Sequence, residues 1–335
     1  MVGHYNLFYR GNLDMAVNLS KSFAYQFSPL KALRLTNEKY ENIETIVSDE
    51  AKYWMHLDKP SKALQQKLAK KLAMPKAVRS ILFAESVRPR CVKHETGLVM
   101  IVQGIQPGKS SDYENVSSLR LWITSNGLVS ISHGAIQAVQ DLKKTMETLT
   151  EPTPMTCLTE LLDHVLYYTE ETTYLLDEAL DKIETNLELT SEASQHIMLA
   201  RQNIVSLRRY MIPQRDAFMT LAVKIAELSE PAAVTCKELA DNMTRQVETL
   251  EMLRDRAAII QDDVTNQLGE VSNRRMYLLT IIMLIFTPAF FVMGLFSMYL
   301  PIPGMNSPDT WWGVIGFIFV SSVGLTWLFK KKKWL

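Results

Sequence analysis

The stretch Arg274-Arg275-Met276-Tyr277-Leu278-Leu279-Thr280-Ile281-Ile282-Met283-Leu284-Ile285-Phe286-Thr287-Pro288-Ala289-Phe290-Phe291-Val292-Met293-Gly294-Leu295-Phe296 decides the fold. No charged residue occurs from Met276 to Pro308, and Met276–Leu300 alone gives 25 mostly apolar positions. A helix needs about 20 to cross the hydrocarbon core of a bilayer. A second uncharged run, residues 310–329, has Trp311 and Trp312 at one edge and Trp327 near the other, and it stops at Lys330-Lys331-Lys332-Lys333. Tryptophans at both ends suit interfacial belts, and basic flanks stay on the cytosolic side. Between the runs, Pro301, Pro303 and Pro308 remove backbone donors and fix φ, so the chain must turn there. The expectation is a first transmembrane helix at 276–300, an external loop at 301–309, a second transmembrane helix at 310–329 and a basic cytosolic end at 330–335. This places a two-span protein in the cell inner (plasma) membrane with both termini in the cytosol. The opening residues, which mix His4, Arg10, Asp14 and Lys21 with apolar ones, do not resemble a cleavable signal peptide.

The rest of the composition agrees with such an anchor. The 36 basic and 36 acidic side chains balance, which speaks against a general nucleic-acid binder. They are unevenly placed, however: residues 271–335 hold six basic groups against Asp309 alone. Cys91, Cys157 and Cys236 make an odd, widely spaced set, which fits a reducing compartment and no disulfide framework.

Upstream, residues 1–150 read as mixed α/β. Leu98–Val102 is strand-like, and Leu119–Thr124 with Leu128–Ser132 forms a hairpin across Ser125-Asn126-Gly127. Two shorter helices are predicted at Pro60–Leu72 and Pro75–Phe83. In residues 151–275 apolar side chains recur at three- and four-residue spacing, predicting long helices over Leu158–Leu189 and Ser191–Leu228. A third begins at Ser229-Glu230-Pro231 and runs unbroken into the first span, or is interrupted at Gly269. The fold class is therefore an α+β cytosolic domain with long stalk helices, plus two C-terminal transmembrane helices.

Two spans cannot enclose an aqueous path, so transport requires several copies. On the first span, Asn273, Met276, Thr280, Met283, Thr287, Phe290 and Gly294 recur every three or four residues and form one stripe. Small, hydroxyl and thioether side chains on that stripe suit a pore lining, and they equally suit close helix packing in a signalling oligomer. Without carboxylates such a pore does not strip a divalent cation of its water, so the natural cargo is a hydrated ion.

The segment Thr287–Phe296, the tripeptide Gly304-Met305-Asn306 between two terminal spans, and the ending Lys330–Leu335 resemble the CorA superfamily of divalent-cation transporters. Glu85–Arg90 and Arg208–Asp216 look most like its ZntB zinc-transport branch. The resemblance implies a funnel-shaped homopentamer, a stalk helix that becomes the inner pore helix, and a loop tripeptide filtering hydrated cations at the entrance. One departure matters: in the family the Gly-Leu-Phe segment runs straight into the filter, which here would be Ser297-Met298-Tyr299. Either the loop is rearranged to present Gly304, Met305 and Asn306, or the entrance is at Ser297, Met298 and Tyr299. Asp309 concentrates cations at the mouth or complements the start of the second span.

Other signals are weaker. Cys91 and His94 have a spacing that can chelate zinc but lack a second pair. The acids Glu170, Glu171, Asp177, Glu178, Asp181, Glu184, Glu188, Asp262 and Asp263 either bind divalent ions between subunits or are solvated, with Arg201, Arg208, Arg209 and Arg215 to offset them. No nucleophile elbow, phosphate-cradling loop or HExxH pattern occurs, so no enzyme and no cofactor are expected. The expected substrate is a divalent metal cation, zinc first, with protons as a coupling ion. A magnesium, cobalt or nickel channel of the same family and a non-conducting membrane sensor or scaffold are the rivals.

Overall fold

The computed structural model describes residues 22–27, 30–34, 52–84, 88–105, 117–134, 136–146, 152–185, 191–298 and 308–331. They form two compact units, Met1–Gln261 and Asp262–Leu335.

The first unit is built on a sheet of seven strands among the described residues: β1 (Phe23–Phe27), β2 (Leu30–Arg34), β3 (Tyr53–Asp58), β4 (Arg90–His94), β5 (Gly97–Gly104), β6 (Ser117–Ile123) and β7 (Gly127–Ser132). Their spatial order is β2-β1-β3-β7-β6-β5-β4. Only β3 and β7 pair in parallel, in register Trp54↔Leu128, and the other neighbours are antiparallel. The predicted hairpin is β6–β7, closing at Ile123↔Leu128. Its turn is held by the Thr124 hydroxyl, which donates to the Gly127 carbonyl and accepts from the Gly127 amide, both at 3.0 Å. Only glycine fits there, because a Cβ on Gly127 would stand 2.3 Å from the Tyr53 ring.

Helices cover both faces of the sheet, which is why β5 reads as a nearly continuous apolar run and why β6 and β7, despite Arg120, Ser130 and Ser132, are buried along almost their whole length. On one face lie α1 (Lys62–Lys71), capped by the Ser61 hydroxyl, and α2 (Lys76–Leu82). Leu64, Leu68, Val78 and Leu82 from these helices pack on Met55, Leu57, Val99, Val129 and Ile131. The other face carries α3 (Gln137–Thr145), α4 (Pro154–Thr185) and α5 (Ser191–Lys224), with α4 against β3, β5 and β7 and α5 against β4 and β5. Buried polar groups are paired between β3 and β7 and between β5 and α5. Trp54 Nε1 donates to Ser130 Oγ at 3.0 Å, His56 Nδ1 lies 2.9 Å from the same oxygen, and the Gln103 amide donates to Gln214 Oε1 at 2.7 Å.

After a 3-10 turn at Ile225–Glu227, helix α6 runs from Glu230 to Phe296 without interruption, 67 residues or about 100 Å. Gly269 does not break it; no atom crowds that position, and one glycine costs only about 1 kcal/mol in a helix. The last helix, α7, spans Pro308–Lys331. The chain is thus an α+β domain with long helices and two helices long and apolar enough to cross a membrane.

Candidate ion pathway

The second unit places the stripe. With every backbone donor in a hydrocarbon solvent needing a partner inside its own segment, the apolar runs can only be helices. Along α6, Val292 is buried and Ile281, Leu284, Pro288, Ala289 and Phe296 are half-buried. Facing them on α7 are the half-covered Val314, Ile318, Ser321, Ser322, Leu325 and Phe329. The Ser322 hydroxyl donates to the Ile285 carbonyl at 3.0 Å, a polar tie between the two helices.

At 100° per residue, Asn273, Met276, Thr280, Met283, Thr287, Phe290 and Gly294 fall on the side of α6 turned away from α7. All seven are exposed; Met276 keeps 64%, Met283 74% and Phe290 63% of its surface. The position of Gly294 is open, with no atom within 4 Å of where a Cβ would lie. Thr280 and Thr287 donate their hydroxyl hydrogens back to the carbonyls of Met276 and Met283, at 2.9 and 2.7 Å. Each hydroxyl oxygen on the stripe therefore presents only lone pairs outward.

The entrance candidates divide. Ser297 and Met298 form the turn that ends α6, with their amides donating to Met293 and Leu295 carbonyls. Tyr299, Gly304, Met305 and Asn306 lie outside the described residues. Asp309 belongs to the first turn of α7.

Cys91 and His94 both sit on β4, and a three-residue separation on a strand sends them to opposite faces of the sheet. Burial, chiefly, pushes the Cys91 thiol up to about 12. Among the described residues no three His, Cys, Asp or Glu side chains gather as a metal-holding group. The acids of α4 meet a cation that the sequence reading missed. Arg256 of α6 donates to Asp177 at 2.7 Å and reaches Asp181 and Glu184 as well. The hydrogen bonds it donates to Glu184 and Asp181 hold its guanidinium above the ordinary arginine range. Spacing on α4 puts the three acids on one face; only the packing of α6 beside α4 supplies the arginine. Of the four basic residues expected to offset acids, Arg208 meets Glu251 at 3.3 Å, Arg201 meets Gln261, and Arg215 meets its neighbour Asp216.

Residues 49–331 match the family described as CorA-like Mg2+ transporter protein. The chain is 27% identical over 299 residues to the zinc transport protein ZntB of Pectobacterium atrosepticum, covering 87% of this chain and 90% of that one. It is 29% identical over 295 residues to the divalent cation transporter CmaX of Pseudomonas aeruginosa, covering 85% and 88%. In fold it resembles the CorA magnesium transporter of Methanocaldococcus jannaschii, with a TM-score of 0.77 at 19% identity over 94% of this chain and 98% of that one. With the family match extending from the sheet through both apolar helices, this chain belongs to the CorA-like Mg2+ transporter protein family.

Proposed function

We propose that the chain assembles as a homopentamer in the inner (plasma) membrane, with both termini cytosolic, and transports hydrated divalent cations, zinc foremost, with protons as the coupling ion. The observation that carries this reading is the exposed α6 stripe facing away from α7, with its two back-bonded threonines. A hydrated cation turns water hydrogens outward. Hydroxyl oxygens that have already donated their hydrogen accept from those waters and offer nothing to an anion. Repeated around an axis, Thr280 and Thr287 become two neutral acceptor rings that select by charge sign and leave the inner hydration shell in place. One protomer encloses no path, so the copies must supply the wall.

In this reading Asn306 accepts hydrogen bonds from the hydrated ion at the mouth, Gly304 gives the backbone freedom to present it, and Asp309 raises the local cation concentration. Ser297, Met298 and Tyr299 are the alternative entrance. Asn306→Ala is expected to abolish or deregulate flux while assembly persists, and unchanged selectivity would sink the displaced entrance. The name of the ZntB relative supports zinc; the family's own description supports a second reading, magnesium, with cobalt or nickel as lesser cargo.

The test is uptake of zinc, magnesium, cobalt and nickel into proteoliposomes, each with and without an imposed pH gradient. Zinc flux that rises with an inward proton gradient supports the proposal. Magnesium-preferring flux indifferent to pH moves it to the second reading, and no flux from folded oligomers leaves a non-conducting sensor or scaffold.

A further inference from the structure

Helix α5 has two apolar faces. One is spent inside the protomer: Ile197, Ile204, Leu207, Met211 and Phe218 are buried. The other points outward and repeats at seven residues, as Met198, Val205, Ile212 and Met219, the first, second and fourth of them 66%, 59% and 50% exposed and Ile212 half-buried. Val223, 76% exposed, continues it. An apolar repeat of seven is the pattern of a helix that packs lengthwise against another helix, and a helix facing only water needs no second one. Arginines accompany the seam. Arg209 lies within it, exposed, and Arg201, Arg208 and Arg215 follow beside it at the same interval of seven, engaged within the chain by Gln261, Glu251 and Asp216; the exposed Asp216 leaves the seam basic on balance.

The outward face of α6 within the same unit is acidic on balance. Glu238, Asp241, Glu248 and Asp255 are exposed there against Lys237 and Arg245, and with them Met252 and Ile259, seven residues apart and 63% and 69% exposed. Both seams carry apolar positions at heptad spacing, one with basic and one with acidic company. Packing α6 on its own copy brings acids together, which is unfavourable by the same electrostatics that favours the mixed pair.

We propose that the outward α5 seam docks the acidic outer face of α6 from a second copy of this chain. The two surfaces differ, so the contact is head-to-tail, and a head-to-tail contact that closes makes a ring rather than a twofold dimer. The inference rests on the oligomer reading above in requiring more than one copy, and it assigns the residues that make the contact.

The test places a photo-crosslinking p-benzoylphenylalanine at Met219 of the full chain in liposomes. The expected product is a crosslink between two copies, with the partner peptide mapping to residues 230–261. A partner peptide in α5, adducts to lipid alone, or monomer alone overturns the proposal. Flux and oligomer mass measured before illumination keep the two readings apart: a mapped α5–α6 crosslink without flux removes transport and leaves the interface standing. Independently, Val205→Glu with Met219→Glu should shift native mass spectra from oligomer toward monomer at unchanged helical content, and an intact oligomer in that variant counts against the seam. Should that pair fail to fold, Arg209→Glu at an exposed position serves instead, with an oligomer that dissociates at lower salt than the parent expected and an unchanged salt response overturning the charge argument.

Discussion

Strand β5 and the first apolar span use the same side chains to opposite ends. In β5, Val99, Met100, Ile101 and Val102 are at most 1% exposed, sealed between α1–α2 on one side and α4–α5 on the other. In the span, Met276, Leu279, Met283, Phe290 and Phe291 each keep 60% or more of their surface. The first region folds by taking apolar surface out of water, so its packing is dense. The second gains little from that force, because lipid tails are as apolar as leucine; helix formation is enforced by backbone satisfaction and the pair is joined by shape and by the Ser322–Ile285 hydrogen bond. A methionine is thus core in one place and surface in the other, and what differs is the solvent.

That contrast can be broken at its functional end first. Thr287→Phe puts a bulky ring on the open stripe; metal uptake into proteoliposomes is expected to stop while oligomer mass stays as in the parent. If the stripe only packs helices, the variant instead loses stability and flux falls no further than the amount of folded protein.

A matched pair of truncations sharpens the energetic side. Leu121, fully buried in β6, is expected to cost about 2–5 kcal/mol as Leu121→Ala, through lost transfer energy and the cavity left behind. Leu279→Ala, on a residue 64% exposed in the span, is expected to cost roughly 0.5 kcal/mol or less. Denaturant unfolding in detergent, followed by tryptophan fluorescence, measures both. Equal losses would mean the span is packed like a core.

The buried side also holds a titratable group. Burial, aided by Lys143, lowers His56 from its ordinary 6.5 to about 3. Between those values the unfolded chain binds the proton that the folded one refuses, so this contribution to stability is complete above pH 6.5 and is lost as the pH falls toward 3. Thermal unfolding of the parent is expected to drop through this window more steeply than that of His56→Gln, and parallel profiles would remove His56 as the cause.

The smallest effect belongs to the surface. Arg256 and its three carboxylate partners are all a third or more exposed, so Arg256→Gln is expected to lower stability by about 1 kcal/mol or less, and less still at high salt. A larger, salt-insensitive loss would show that the α4–α6 contact depends on that cluster.

Much of the fold was legible because it is written in local period. The charge-free runs gave the two membrane helices, the Ser125-Asn126-Gly127 turn gave the β6–β7 hairpin, three- and four-residue spacing gave α4 and α5 within a few residues of their ends, and the Ser229-Glu230-Pro231 cap gave the start of α6. The candidate site was legible as a stripe for the same reason. The parallel pairing of β3 with β7 was not, since its partners lie more than seventy residues apart and nothing local fixes their register. Nor was the meeting of Arg256 with Asp177, Asp181 and Glu184, which needs two helices laid side by side.

The sequence by itself determined that two segments must cross a membrane and that three long helices precede or enter them, because hydropathy and helical period act within a segment. It also determined which residues share a face of α6. Only the tertiary structure decided which face that is. Val292, Pro288 and Ile281 lie against α7, and this leaves Thr280, Thr287 and Gly294 on the side that no part of their own unit covers, because the direction of a helix face depends on where its neighbour packs.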